Sequence, residues 1–215
     1  MTVCAVRCVR GAWPLDSTNE HSQENIFVFP WLRLVRVGFS LIGKSKVDLL
    51  ATTHVHLRVW PNDLDFNLHV NNGRYLALAD IGRIHWSIRT GVLGVARQQK
   101  GFPVIGDAIA KFRHDLKVFQ TFEIHTRLIG WDRKWGFIEH RFVRMDRVIG
   151  VVAIRGVFKV PGGAVDPRVL LAGLAHTAPS PELPEWANCF HQGSELLSEL
   201  LRDEERSKGL HERKE

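Results

Sequence analysis

The sequence predicts an α+β domain: an antiparallel sheet of about five strands with one long, buried central helix inserted after the first strand. Three observations predict it. Residues 52–60 alternate strictly, with Val55, Leu57 and Val59 on one face and His54, His56 and Arg58 on the other. Residues 72–90 follow a helical period through Tyr75, Leu78, Ile81 and Ile88, with Asn72 placed to cap the start and Gly91 to end the run. Four strand-like stretches then follow, at 104–118, 121–131, 135–144 and 148–160. The turns between them, Phe119-Gln120, Asp132-Arg133-Lys134 and Asp146-Arg147, are short, which predicts antiparallel neighbours.

Taken in order, residues 1–24 are polar and irregular and read as a flexible leader. Residues 25–45 form an N-terminal amphipathic helix, in which Trp31, Val35, Phe39 and Ile42 recur at helical spacing beside Arg33 and Arg36. Two readings are open for this stripe. It packs on the domain, as most helical apolar stripes do, or it lies on a membrane surface with its basic neighbours toward anionic lipid. The main domain runs from 46 to 165 and closes at the Pro161-Gly162-Gly163 turn. Residues 166–215 form a C-terminal helical extension, with a short helix near 167–174, a proline-rich linker at 178–184 and a second helix near 193–207.

Composition narrows the function classes. With 45% apolar residues in 215, the chain can bury a core, and no apolar run approaches the roughly 20 residues of a spanning helix. Arg7 and Arg10 interrupt the N-terminus before a signal-peptide core can form. The expected location is cytoplasmic, with contact to a membrane through residues 26–42 as the second of the two readings above. Cys4, Cys8 and Cys189 offer neither a disulfide framework nor a paired zinc motif. The formal charge of +6 suits an anionic partner, but the basic residues are spread along the chain. That weakens the nucleic-acid reading, while an anionic membrane surface stays open and a phosphate-bearing small ligand such as coenzyme A is served equally well, with Lys111, Arg113, Arg127 and Arg133 as candidate contacts. His54 and His56 share a strand face as metal ligands would, yet no third ligand follows at suitable spacing, so no metal site is expected.

The chemistry concentrates in Asp63-Leu64-Asp65-Phe66-Asn67-Leu68-His69-Val70-Asn71-Asn72-Gly73-Arg74-Tyr75, between the first strand and the central helix. Asx residues before a helix are ordinary caps and turn formers, and that reading suits Asp63, Asn71 and Asn72. Asp65, Asn67 and His69 stand at i, i+2 and i+4, on one side of an extended segment, and a cap needs only one of them. The backbone N–H groups of Asn72 and Gly73, at the helix N-terminus, suit an oxyanion. No Gly-x-Ser-x-Gly run and no phosphate-binding glycine loop is present.

The run Asp65-x-Asn67-x-His69-Val70-Asn71-Asn72-x-x-Tyr75 resembles the signature of hotdog-fold thioesterases. It is similar to 4-hydroxybenzoyl-CoA thioesterase in its aspartate ten residues before a tyrosine, and to plant acyl-ACP thioesterases in Asp-x-Asn-x-His-Val-Asn-Asn. From about Leu49 to Val160, including Gly130-Trp131-Asp132, the sequence most resembles the subfamily of thioesterase superfamily member six and its bacterial relatives. The resemblance implies a hotdog fold, in which a sheet wraps one long helix. It implies hydrolysis of acyl-CoA or acyl-ACP without metal or organic cofactor. Asp65 is then nucleophile or general base, and Asn67 and His69 its polar partners. Asn71, Asn72, Gly73 and Tyr75 are the expected substrate-binding residues. The plant enzymes use a further acid downstream, for which only Asp107 and Asp80 lie near, and neither fits a motif; Asp80 pairs naturally with Arg83 one helical turn on. Homodimers with the site at the subunit boundary are also implied. The rival reading is a non-catalytic hotdog domain that binds acyl chains or scaffolds a membrane-associated complex.

Overall fold

The computed structural model describes residues 31–209. The expected leader of residues 1–24, the first residues of the expected N-terminal helix, Cys4 and Cys8 lie outside them. The elements in order are α1 (Trp31–Ser40), β1 (Thr53–Arg58), a 3-10 turn at Pro61–Asp63, α2 (Asn72–Thr90), α3 (Val92–Gln98), β2 (Phe102–Phe112), β3 (Thr121–Trp131), β4 (Gly136–Arg144), β5 (Arg147–Val160), β6 (Gly163–Val165), α4 (Pro167–Ala172) and α5 (Glu185–Ser207).

The strand order is β1-β3-β4-β5-β2, with the short β6 added against β5. All pairings are antiparallel. The sequence-based expectation that β2 and β3 are neighbours is therefore wrong. The segment between them crosses from one edge of the sheet to the other, because both of its ends are pinned elsewhere. Arg113 and His114 donate backbone N–H bonds to Ile149 in β5, while Phe119 donates to Val59 and Gln120 accepts from it beside β1. Leu116, expected on a strand face, instead lies fully buried within this crossing.

The sheet wraps α2 as the hotdog fold prescribes. Val55 and Leu57 of β1, Phe122 and Ile124 of β3, Phe142 of β4 and Val152 and Ile154 of β5 form one core with Tyr75, Leu78, Ala79 and Ile81 of α2. The period-2 alternation of β1 holds as read, with His54, His56 and Arg58 outside. Gly82 explains how closely the helix approaches: a Cβ there would stand 2.5 Å from Thr126 Oγ1 and 2.9 Å from Ile124 Cγ2. Gly91 takes the left-handed conformation that stops α2 (φ 84°). Two details of α2 differ from expectation. Its N-cap is Asn71, whose side chain accepts from the Gly73 N–H, and Asn72 is the first helical residue. Ile88 is exposed, so the helix buries one broad face rather than its whole girth.

The N-terminal helix packs on this core through Leu34, Val37 and Leu41. That is a different face from the stripe the spacing singles out: Val35, Phe39 and Ile42 of that stripe are exposed, with Leu32 beside them. At the other end of the chain, α5 begins eight residues earlier than its periodicity suggests. Its first half covers the outer side of β4 and β5, where Ala187 and Leu183 pack on Trp135, Phe137 and Val157. Arg155, almost wholly buried there, bonds Asp107 and Glu195 at 2.5 Å and stacks over Trp135.

Candidate active site

Asp63 anchors the motif. It is buried and accepts both guanidinium nitrogens of Arg33 from α1, at 2.9 and 2.5 Å, and the backbone N–H of Trp60 at 2.8 Å. Arg33 also donates to the Arg58 carbonyl, and Asn71 N–H donates to the Asp63 carbonyl. Asp63 thus ties α1, the end of β1 and the start of α2 together, through its carboxylate to the first two and its backbone carbonyl to the last.

Asp65 to His69 do not form an extended segment. Leu64 pairs with Val70 and His69 with Lys117 as isolated antiparallel bridges. Between them the chain turns tightly: Leu68 N–H donates to the Asp65 carbonyl at 3.0 Å, Asp65 N–H donates to the His69 carbonyl at 2.9 Å, and Leu68 sits at φ 60°. The turn forms because Asp65 Oδ1 accepts the Asn67 N–H at 2.9 Å, an Asx turn. Asp65 and His69 are therefore brought together across a hairpin rather than along one strand face. Asp65 Oδ2 takes no hydrogen bond among the described residues. Asn67 is exposed at the tip, between Phe66 (91% exposed) and Leu68 (70% exposed).

The remaining predicted residues divide. Asn71 spends its side-chain oxygen on the Gly73 N–H, which removes that N–H as an oxyanion donor. The Asn72 N–H has no acceptor among the described residues and points from a helix N-terminus, where the aligned peptide dipoles favour negative charge. Tyr75 is buried between Phe112 and Phe142, at ring distances of 5.1 and 4.8 Å. Burial, with the charge of Asp115 in support, pushes its phenol up to about 12. It forms the floor beneath the helix start.

Asp115, which the sequence places at an exposed strand position, is exposed but lies in the crossing segment outside any strand, beside the motif. Its Oδ2 lies 3.6 Å from His69 Nε2. Asp107 and Asp80, the acids weighed instead, are held by Arg155 and Arg83. No spacing rule links positions 69 and 115. The backbone pairings His69 with Lys117, and Val70 with Leu116, bring them together. Of the candidate phosphate contacts, Arg127 is tied to Glu139 at 2.8 Å, while Lys111, Arg113 and Arg133 remain exposed.

Two further constellations lie outside the motif. An apolar cavity of about 100 Å³ opens between α2 and β2, β4 and β5, lined by Trp86, Val104, Ile105, Leu128, Ile138 and Ile154 among others. Arg83 Nη1 and Trp86 Nε1 are buried there without a hydrogen-bond partner among the described residues. The second is His54, Glu123 and His125, whose ligating atoms all lie within 4.8 Å of one another. His54 and His56 do have further ligand-type neighbours, contrary to the sequence reading; the strand register, rather than sequence spacing, supplies them.

Comparison with known proteins agrees with this frame. The family model described as "Thioesterase-like superfamily" matches residues 59–186, more than half of the chain. Protein THEM6 of Xenopus laevis is 34% identical over 174 residues, covering 78% of this chain and 83% of that protein. Protein THEM6 of Danio rerio is 38% identical over 129 residues, 59% of this chain and 64% of that protein, so the chain spans under two thirds of that relative. Among solved structures, the probable thioesterase YbaW of Escherichia coli superposes with a TM-score of 0.53 at 18% identity, over 56% of this chain and 95% of that one. The last is a likeness of fold, and it is the hotdog fold. By the family match from the residue after β1 to the start of α5, and by relatives at these identities, the chain belongs to the thioesterase-like superfamily.

Proposed function

We propose that the chain hydrolyses acyl thioesters, with acyl-CoA or acyl-ACP as substrate and Asp65 as the working carboxylate. The observation that carries the reading is the Asp65 hairpin. It leads through Val70 and Asn71 into the start of α2, and among the described residues neither Asp65 Oδ2 nor the Asn72 N–H has a hydrogen-bond partner. The thioester carbonyl oxygen takes the Asn72 N–H, and that bond strengthens as the oxygen gains charge. Asp65 either removes a proton from water as it attacks the carbonyl carbon or attacks that carbon itself, to be released by water afterwards. The C–S bond breaks, and the thiolate leaves with the proton. His69, whose Nε2 lies 3.6 Å from Asp115 Oδ2, relays that proton or holds the carbonyl, and Asn67 lines the entrance.

The rest of the molecule suits such a substrate. Lys111, Arg113 and Lys117 are exposed on the crossing segment or next to it, where a nucleotide or phosphopantetheine phosphate would be met. The cavity beside Trp86 takes apolar carbons, and Arg83 Nη1 and Trp86 Nε1, without a partner among the described residues, favour an acyl group that also carries an acceptor. One observation favours the rival, a non-catalytic acyl-binding domain: the Asx turn alone accounts for an aspartate at position 65.

Asp65→Asn separates the two, since it preserves the turn and removes the charge. On a panel of acyl thioesters with free-thiol detection, turnover of the best substrate falls by at least ~10²-fold, the lower range for losing a general base. His69→Ala lowers it roughly tenfold to a hundredfold. Near-normal turnover in a folded Asp65→Asn protein would refute the assignment and return the motif to a helix-capping turn.

A further inference from the structure

We infer that the outer face of β1 and β3 is a site for a divalent transition-metal ion, with His54, Glu123 and His125 as ligands and His56 within reach as a fourth. The sheet register makes it. His54 stands directly opposite His125, and His56 directly opposite Glu123. Side chains on directly opposite positions project from points about 5 Å apart on the same face. His54 and His56 alternate with the core-facing Val55 and Leu57, so all four residues share the solvent side.

The distances fit one ion. Glu123 Oε2 lies 2.8 Å from His125 Nε2 and 3.7 Å from His54 Nδ1, and Oε1 lies 3.4 Å from His56 Nδ1. Ligand bonds of about 2.1 Å at a tetrahedral centre separate the ligating atoms by roughly 3.4 Å. The imidazoles of His54 and His125 face each other with centroids 4.2 Å apart.

The charge pattern points the same way. In a basic chain, carboxylates find Arg and Lys readily: Asp63, Glu139, Asp107 and Glu195 all do. Glu123 does not. Its ion-pair partners among the described residues are three imidazoles, and the nearby Arg127 and Arg141 are drawn away to Glu139. A neutral imidazole carries one N–H and one lone pair, and either tautomer is open to a ring at the surface, so the three rings around Glu123 can turn lone pairs toward a cation that the carboxylate also binds. A cation at the centre satisfies them all. The donor set, imidazole with one carboxylate, is that of Zn²⁺ and its neighbours Cu²⁺, Ni²⁺ and Co²⁺ rather than of Ca²⁺ or Mg²⁺. His54, His56 and Glu123 also line a cavity of about 900 Å³ with Arg36, Lys44 and Arg58. With only His54, Glu123 and His125 as ligands the ion keeps one position open beside these cations, which suits water or an anion; with His56 as the fourth the site is closed.

The test uses the full chain, stripped with chelator and titrated with Zn²⁺ by calorimetry and with Co²⁺ by visible absorption. One equivalent binds saturably, and Co²⁺ gives the intense bands of a tetrahedral site. His54→Gln, Glu123→Gln and His125→Gln each weaken binding at least tenfold, while His114→Gln leaves it unchanged. Absence of saturable one-equivalent binding overturns the site, as does equal affinity in the three variants. X-ray absorption on the zinc-loaded wild-type chain provides a reading that needs no variant: two or three imidazoles in the first coordination sphere support the assignment, and fewer than two overturn it.

Discussion

His140 and His85 are the residues at which burial most changes chemistry. His140 sits wholly buried beneath α2, with Nδ1 bonded to Thr126 Oγ1 at 3.0 Å and Nε2 unpartnered among the described residues. Desolvation, aided by the positive charge of Arg83, holds its pKa down to about 3. Desolvation likewise lowers His85 to about 4, with Arg89, Lys44 and His54 adding to the effect. An unfolded chain takes up these protons near 6.5, the folded chain only near 4 and 3. Between those values the unfolded state binds more protons, so stability falls as pH drops below about 6.5. The loss is up to about 1.4 kcal/mol per pH unit for each histidine, and it levels off below the folded values. Chemical denaturation from pH 7 to 4 measures this slope. His140→Gln keeps a partner for Thr126 and removes one proton site, so its slope is lower by up to about 1.4 kcal/mol per pH unit. An unchanged slope would show that His140 is not held neutral.

Among the elements, α1 is the one whose faces serve two purposes. Its inner face joins the core through Leu34, Val37 and Leu41, and Arg33 reaches down to the buried Asp63. Its outer face leaves Leu32 87% and Phe39 69% exposed, with Val35 and Ile42 between and beyond them and Arg36, Lys44 and Lys46 alongside. No helix among the described residues is long and apolar enough to cross a membrane. A basic amphipathic face of this kind suits an anionic lipid surface. We predict that phosphatidylserine-containing vesicles co-sediment the full chain, and that Leu32→Asp/Phe39→Asp abolishes the recovery. Equal recovery of both proteins would sink the idea. Deleting α1 is the poorer experiment, because it strips Arg33 from Asp63 and leaves a buried carboxylate with its main charge partner gone, a loss on the order of 3 kcal/mol.

For the whole molecule the open question is assembly. β2 is an eleven-residue edge strand, and Phe102, Ile105, Ile109 and Phe112 along it are exposed. Long apolar edges invite pairing, and a two-fold axis that joins edge to edge removes the liability. Phe66 and Leu68 on the Asp65 hairpin add further exposed apolar surface, which suits a site completed at a subunit boundary. We predict a homodimer or a higher even oligomer in sedimentation velocity at micromolar concentration. A monomer there would count against both the assembly and a site shared between subunits.

Periodicity sufficed for what local rules govern: the alternation of β1, the extent of α2, its glycine stop, and the α+β class. The Asp65 run stands out in the sequence on the same local grounds, since three chemistry-bearing side chains on one connection exceed what a cap requires. Positions that depend on partners far along the chain were not. The crossing between β2 and β3 read as a hairpin because a short polar turn looks the same whether or not the strands beside it pair. The N-cap fell one residue from its expected place, as two adjacent asparagines are equivalent until the backbone chooses between them. Asp115 reached His69, and Glu123 and His125 reached His54, only through strand register. Hydrophobic period determines which face of each element is buried; only backbone pairing between distant segments decides which polar side chains then meet.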